Sequence, residues 1–230
     1  MIYITGDCHR EFEHIRDFCE RNNTTKDDVV IILGDAGINI NSHADIYVKD
    51  WLSKLPITLF CIRGNHEQRP EHLPNIHTKI FHGSYIYYEP NYNNIVYAID
   101  GHSYLFNDKE YLVVGGAYSV DKDYRLKVGL DWFEDEQLTE KEMQHISTVI
   151  NNSGKSRYHG VLSHTCPDKY RPIEWYLSFV EQDTVDDSME KFLDDIESVL
   201  NYKIWYCGHW HGEKVIDRVH FLYHSIEELK

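Results

Sequence analysis

Seven side chains of this sequence offer carboxylate, amide or imidazole ligands directly after short apolar runs. They fall in five segments: Gly6-Asp7-Cys8-His9, Gly34-Asp35, Gly64-Asn65-His66-Glu67, Ser163-His164 and Gly208-His209-Trp210-His211. Oxygen and imidazole ligands without a thiolate pair suit manganese, iron, zinc or magnesium-like ions, and they disfavour a structural zinc or an iron–sulfur cluster. Two such ions about 3.5–4 Å apart can clamp a hydroxide and a phosphoryl oxygen together. The pattern therefore indicates a two-metal centre for hydrolysis at phosphorus.

The apolar runs before these segments predict the strands that position them. Short, β-branched runs of this kind are typical of strands buried on both faces. The runs are Ile2–Ile4, Val29–Leu33, Ile57–Ile62, Gly160–Leu162 and Ile204–Cys207. In open α/β sheets the reactive groups collect beyond the carboxyl ends of the strands. Glycine precedes the ligand in four of the five segments and allows a sharp turn there, so we expect all five to meet in one pocket.

Taken in order, the five segments resemble the signature blocks of the calcineurin-like metallophosphoesterase superfamily. The resemblance implies two divalent or trivalent metal ions, with manganese, iron or zinc favoured. It implies that the first ion is held by Asp7, His9, Asp35 and His211. It implies that the second ion is held by Asp35, Asn65, His164 and His209, which makes Asp35 the bridge. His66 resembles the family's acid, which protonates the leaving oxygen.

The alternative is that these residues are ordinary turn formers and buried structural histidines. A single Gly-Asp or Gly-Asn-His would more often be an ordinary turn, because glycine, aspartate and asparagine are common in turns. Five matches in order, each after a strand pattern, favour the metal centre.

The remaining periodicity predicts two sheets enclosed by helices. Apolar residues at helical spacing and a Thr139/Glu142 capping box predict helices at about 11–21, 44–55, 139–150 and 189–200. Strands are predicted at 95–99, 102–106 and 110–114, joined by hairpin turns at Asp100-Gly101 and Asn107-Asp108. The fold class is therefore α/β, with two mixed sheets flanked by helices, and the superfamily's four-layer α/β/β/α sandwich looks the same. Because the ligands span the chain, residues 1–230 are predicted to form a single domain.

Composition narrows the compartment and the partners. Five scattered cysteines, no apolar membrane-length segment and no room for a signal peptide before Asp7 predict a cytoplasmic protein without a membrane partner. The net charge is −15 and no lysine–arginine cluster forms a basic stripe, which argues against polymeric nucleic acid as a substrate. The oligomeric state stays open.

The substrate is less well defined. The Ser/Thr protein phosphatase branch continues its second block as Gly-Asp-x-x-Asp-Arg-Gly, whereas this chain has Ile38 and Asn39 where that Asp and Arg would stand. The missing Asp would orient the acid histidine, and the missing Arg would grip phosphate. Arg63 matches that branch, and Arg125 is a candidate replacement, with Arg69 and Arg171 on other loops.

Two aromatic segments are candidate pocket walls. They comprise Tyr85, Tyr87, Tyr88, Tyr92 and Tyr97, and Tyr170, Trp175, Tyr176 and Phe179. Such rings could stack on a base or pack against a peptide, but filling of core and strand faces is favoured.

The expected function is dinuclear metal-dependent hydrolysis of phosphoesters by a metal-bridging hydroxide. The favoured reading is a phosphatase for phosphomonoesters, either small molecules or phosphoproteins. A phosphodiesterase or nucleotide hydrolase of the same superfamily remains open, as does a non-catalytic interaction scaffold with this fold.

Overall fold

The structure is a computed structural model that describes residues 1–153, 158–178 and 180–230. Two mixed β-sheets lie face to face in this part of the chain. The strands of the first sheet are β1 (Ile2–Thr5), β2 (Val29–Ile32), β3 (Thr58–Cys61), β4 (His77–Phe81), β5 (Ser84–Tyr88), β6 (Ile95–Tyr97) and β13 (Glu227–Glu228). The strands of the second are β7 (Ser103–Phe106), β8 (Lys109–Val114), β9 (Gly160–Ser163), β10 (Ile204–Cys207), β11 (Lys214–Ile216) and β12 (Val219–Phe221).

Each sheet has a parallel centre and antiparallel edges. The first sheet runs β13-β1-β2-β3-β6-β5-β4, and the second runs β11-β12-β10-β9-β8-β7. In the first, β1, β2, β3 and β6 pair in parallel. In the second, β8, β9, β10 and β12 do so. All five predicted ligand-bearing runs form strands of these parallel centres, so each sheet directs its ligands to one edge.

Helices cover both outer faces. They are α1 (Glu13–Asn22), α2 (Asp45–Leu52), α3 (Lys122–Val128), α4 (Glu140–Ser153) and α5 (Ser188–Val199). Helices α1 and α2 pack against the first sheet through Ile15 and Leu52. Helices α4 and α5 pack against the second through residues such as Ile150 and Leu193. A third apolar cluster, including Phe60 and Tyr206, fills the space between the sheets. The predicted α/β/β/α sandwich is confirmed.

Local signals fix several boundaries. At the start of α4 the Thr139 backbone N–H donates to Glu142 Oε2 at 2.7 Å, and the Glu142 N–H donates to Thr139 Oγ1 at 3.3 Å, which is the predicted capping box. Asn107 and Asp108 have φ values of 51° and 59° and join β7 to β8 as the predicted hairpin. None of the helices in the described part of the chain has the length and apolarity needed to cross a membrane.

The second predicted hairpin is wrong. Strands β6 and β7 belong to different sheets, so Asp100-Gly101 carries the chain from one sheet to the other. The Asp100 carboxylate accepts hydrogen bonds from the Gly115 N–H at 2.6 Å and from Arg63 Nε at 3.1 Å. These contacts come from loops distant in sequence, which is why a local turn pattern did not reveal the crossing.

Candidate metal centre

The ends of β1, β2, β9 and β10 bring five of the predicted ligands into two overlapping clusters. His9 and His211 converge on the Asp7 carboxylate, with Asp7 Oδ2 3.5 Å from His9 Nε2 and 3.2 Å from His211 Nε2. Asp35 Oδ2 lies 3.9 Å from His9 Nε2 and 3.6 Å from His164 Nε2. Asp7, His9 and His211 form one set of candidate ligands, and Asp7, Asp35 and His164 form the other. Five of the seven predicted ligands therefore lie together, and Asp7 belongs to both sets.

His164 is held with one ring nitrogen free for a ligand bond. Its Nδ1 lies 2.7 Å from the Leu33 carbonyl oxygen, which can only accept, so Nδ1 carries the proton. In the neutral ring, Nε2 is then a lone-pair donor to metal. Nε2 also lies 2.8 Å from Asn65 Oδ1, another lone-pair atom.

Asn65 is oriented by a chain of buried side chains that the sequence analysis missed. Its Nδ2 donates to Ser119 Oγ at 2.9 Å, and Ser119 Oγ donates to Glu136 Oε2 at 2.5 Å. Trp132 Nε1 donates to the same Glu136 oxygen at 2.9 Å. Because the amide nitrogen is engaged in this way, Oδ1 faces His164. Ser119 and Glu136 belong to no motif, and only their packing reveals the role.

His209 lies beside the clusters. Its ring is edge-on to that of His164, with centroids 5.0 Å apart, and its backbone N–H donates to Asp7 Oδ1 at 2.8 Å. Burial and the neighbouring His164 lower the pKa of His209 to about 3. The ring is therefore neutral at ordinary pH, as a metal ligand must be.

The backbone at these ligands is strained. Four of the predicted ligands are non-glycine residues in the left-handed region, with φ values of 46° at His9, 45° at Asp35, 65° at His209 and 48° at His211. Such conformations cost about 1–3 kcal/mol each and cluster at functional sites. Two glycines that precede predicted ligands show how close the packing is. A Cβ on Gly64 would lie 2.0 Å from Asp35 Oδ1, and a Cβ on Gly208 would lie 2.2 Å from Asp7 Oδ1.

The donor chemistry fits metal ions. Asp7 Oδ2 is buried and has no hydrogen-bond donor among the described residues. It faces imidazole nitrogens, while His164 Nε2 faces an amide oxygen. When these imidazole nitrogens carry no proton, their lone pairs face carboxylate and amide oxygens, an arrangement that is costly in a buried site unless a cation binds them. The hydrogen bonds that hold His164 and Asn65 fix the orientation of these two candidate ligands, as is usual at metal sites.

His66 adjoins the clusters without belonging to them. Its backbone N–H donates to Asp35 Oδ1 at 2.8 Å, and its Nε2 lies 3.9 Å from Asp121 Oδ1. Asp121 also accepts a hydrogen bond from Arg125 Nε at 2.8 Å. Burial lowers the pKa of His66 and Arg125 lowers it further, while Asp35 and Asp121 oppose both effects. Asp121 thus faces His66. In the Ser/Thr protein phosphatase branch an aspartate at the position of Ile38 would orient this histidine.

The two arginines predicted to bind substrate are both engaged with protein groups. Arg63 donates to Asp100, to the Glu136 carbonyl at 2.5 Å and to the Gly115 carbonyl at 3.2 Å, and it does not line the cavity at the clusters. This placement supports a structural role and does not support phosphate binding. Arg125 donates to Asp121 and to the Asp131 carbonyl, and its role as a phosphate ligand stays a prediction.

A cavity of about 440 Å³ opens beside the clusters and is lined by two of their members, Asp35 and His211, and by the neighbouring Asn65, His66 and His209. Its other walls include Tyr118, Trp175, Tyr176, Trp210 and Glu190. Of the two predicted aromatic walls, Trp175 and Tyr176 do line it. Phe179 lies outside the described residues.

The first aromatic segment is elsewhere. It lies on and around β5 and β6, where four of its five tyrosines pack into or against the apolar clusters. Tyr85 is the exception, with 55% exposure. The favoured reading, that these rings fill core and strand faces, holds for the four.

Comparison with known proteins identifies the family. The family model described as calcineurin-like phosphoesterase matches residues 1–213, and the chain belongs to this family. It is accordingly a metal-dependent phosphoesterase. The match to a solved crystal structure has a TM-score of 0.51 and covers 96% of this chain and 88% of the other chain. The two sequences are 14% identical, so this similarity supports the fold alone. The comparison with curated proteins gave no match.

Proposed function

We propose that this protein is a dinuclear phosphoesterase that acts chiefly as a phosphatase on phosphomonoesters. The observation that carries the proposal is the pair of overlapping ligand clusters, Asp7-His9-His211 and Asp7-Asp35-His164, with His66 at their edge. Asn65 and His209 would complete the second cluster. Bound at these residues, manganese, iron or zinc ions would activate water and neutralise the phosphoryl charge.

The protein's own residues would hold and orient the reacting groups. Asp35 lies near His9 of the first cluster and near His164 of the second. It is therefore proposed to bridge the two ions. His66 is proposed to pass a proton to the leaving oxygen, because it is tied to Asp35 through its backbone and lies on the cavity side of the clusters. Asp121 faces Nε2 of His66, which leaves Nδ1 for the leaving group.

The acid at the edge of the cavity suits an ester with a poor leaving group, because such an ester needs a proton at its leaving oxygen and His66 lines the cavity. Monoesters and diesters share this requirement, so the preference for monoesters is decided by the substrate screen below. A phosphodiesterase remains the second candidate, since a cavity of about 440 Å³ leaves room for a second ester substituent. A cytoplasmic location is proposed on the five buried, unpaired cysteines.

The test is a hydrolysis screen of metal-reconstituted protein on monoesters, diesters, nucleotides and phosphopeptides. Wild type is expected to cleave monoesters fastest. His66→Ala is expected to retain both metal ions yet to lose about 10²–10⁴ in turnover on esters with poor leaving groups. Activated aryl phosphates should be affected less, because they need little protonation. Loss of metal from His66→Ala, or equal losses on both kinds of ester, would rule out the proposed acid.

A non-catalytic scaffold predicts a different outcome of the same screen. It would show no turnover on any ester with any of the three metals, although the protein still bound them. The intact ligand clusters and the histidine beside them favour catalysis.

A further inference from the structure

The cavity beside the metal centre contains a buried carboxyl group that the proposed chemistry does not use. Glu190, on α5, is 5% exposed and lines the cavity together with the predicted metal ligands. Its Oε1 accepts a hydrogen bond from Thr165 Oγ1 at 2.6 Å. A carboxyl group has further acceptor positions, and a buried one is stabilised when these meet donors.

The walls around Glu190 are suited to a flat ring. Tyr118, Trp175, Tyr176 and Trp210 contribute aromatic surface, and Val180 and Val185 contribute aliphatic surface. Tyr176 and Trp210 stack on each other with centroids 5.9 Å apart, which fixes both rings. Trp175 is held by Phe221, whose centroid is 5.8 Å away, and by Lys214 Nζ, 4.8 Å from its ring centroid. The volume of about 440 Å³ lies within the range of about 300–1,000 Å³ that is typical of small-molecule sites.

The charges around the cavity limit the number of phosphates that it can accept. Among its described lining residues the acidic groups are Asp35, Asp121 and Glu190, and the one arginine or lysine is Arg171. Arg171 is already paired with Asp168 at 2.6 Å and with Asp187 at 3.7 Å. A second or third phosphate would meet no uncommitted cation there. The cavity therefore fits a neutral group attached to a single phosphate.

We propose that this cavity binds the nucleoside of a nucleoside monophosphate, with the base against Tyr176 and an N–H donor of the base on Glu190. The proposal rests on the proposed function, because the phosphate is taken to lie at the metal clusters. His66 and Asp121 line the same cavity, so the leaving oxygen would lie on the nucleoside side. Amino and ring N–H groups of bases are suitable donors to a carboxylate.

A phosphotyrosyl peptide fits less well. Its phenyl ring could lie on the same aromatic walls, but once its oxygen is esterified the ring has no hydrogen-bond donor for Glu190. A buried acceptor left without a donor disfavours binding.

Binding and hydrolysis are tested separately. Quenching of tryptophan fluorescence by adenosine and guanosine measures occupancy of the cavity without any reaction. The KM and kcat of reconstituted protein are then compared for adenosine, guanosine and uridine monophosphates, glycerol phosphate and phosphotyrosine. We expect nucleoside monophosphates to have a KM at least tenfold below that of glycerol phosphate.

Variants assign the effect to the cavity. Tyr176→Leu should raise the KM for nucleoside monophosphates by about 5- to 150-fold, the range for loss of one base–aromatic stack, and should raise the KM for glycerol phosphate far less. The matched control is Tyr47→Leu on α2, which is 75% exposed and outside the cavity, and it should alter neither KM. Glu190→Gln should change the ratio of kcat/KM among the three nucleotides.

The outcomes separate the two proposals. If glycerol phosphate is hydrolysed but adenosine and guanosine do not bind, the nucleoside assignment is wrong and the phosphoesterase proposal stands. If the nucleosides bind and no ester is cleaved, the nucleoside assignment stands and the phosphoesterase proposal is wrong. Equal KM values for nucleotides and glycerol phosphate, or a preference for phosphotyrosine that Glu190→Gln leaves unchanged, would also overturn the nucleoside assignment.

Discussion

Asp121 Oδ1 lies 3.9 Å from His66 Nε2, and its other carboxylate oxygen accepts a hydrogen bond from Arg125 at 2.8 Å. The two residues come from different loops, one after β3 and one after β8. Asp121 Oδ1 is buried and has no hydrogen-bond partner among the described residues. Catalytic hydrogen bonds are often longer than about 3.2 Å without substrate and tighten when it binds. The pair therefore offers an orienting carboxylate for the proposed acid.

Asp121→Asn should keep the metal content and lower kcat by about 10- to 100-fold on esters with poor leaving groups, with KM little changed. The reason is that an amide cannot stabilise the charged imidazole as a carboxylate does. Activated aryl phosphates should lose less. Rates on both kinds of ester and elemental analysis of the same sample check this prediction. Asp131→Asn, three residues after α3, is the control, because Arg125 uses only its backbone carbonyl. Equal loss on both substrates would contradict an orienting role.

Asp35→Asn should weaken binding of both metal ions and abolish turnover while the circular dichroism spectrum stays unchanged. Asp35 Oδ2 lies within 3.9 Å of His9 Nε2 and 3.6 Å of His164 Nε2, so it is placed to serve both sites. The metal content that elemental analysis finds after reconstitution should be lower in the variant than the two ions per chain expected for wild type. Asp17→Asn, on an exposed side chain of α1, is the control.

Asp7→Asn is the informative comparison for that experiment, because Asp7 belongs to both ligand clusters. If Asp7→Asn loses both ions and Asp35→Asn loses only one, Asp7 is the bridge. A single ion with full activity in Asp35→Asn would reject the bridging assignment.

Glu190→Gln should remove a pH dependence of stability. Burial raises the pKa of Glu190 to about 7 from its usual 4.5, so between these pH values the folded protein binds more protons than the unfolded chain. The stability that this group contributes is complete below pH 4.5 and is lost as the pH rises through 7. At about 1.4 kcal/mol per pKa unit, the loss in wild type reaches about 3 kcal/mol. Urea unfolding at pH 4.5 and 8 should therefore show the variant gaining stability relative to wild type by up to that amount.

Glu197→Gln is the matched control on the same helix. Burial would raise the pKa of Glu197, but its contacts with Lys169 and Tyr202 outweigh burial and lower the pKa. Its stabilising effect is therefore present at pH 8, and the substitution should destabilise there. If both variants showed the same pH dependence, burial of Glu190 would not be its cause.

The sequence was sufficient for the strand-end ligands because each one follows a local pattern. Asp7, Asp35 and His164 each come directly after a β-branched run, and the sheet order then forces them together. Asp121, Ser119 and Glu136 follow no such run. Ser119 and Asp121 reach the site through the loop between β8 and α3, and Glu136 reaches it through the loop between α3 and α4. The crossing at Asp100-Gly101 was missed for the same reason, since Arg63 and Gly115 bind that turn from elsewhere in the chain.

Small phosphoesters should be cleaved much faster than polymeric nucleic acid. The chain has a net charge of −15, and the cation among the described lining residues of the cavity, Arg171, is paired with carboxylates. A single phosphate can be neutralised at the metal centre, whereas a row of phosphates meets repulsion along the surrounding surface. The measurement is turnover of a monoester, a simple diester, and single- and double-stranded DNA at moderate and raised salt. Cleavage of DNA as fast as the small esters, with a steep loss as salt is raised, would show that a cationic surface does bind the backbone, and the nuclease branch of the family would then be the better comparison.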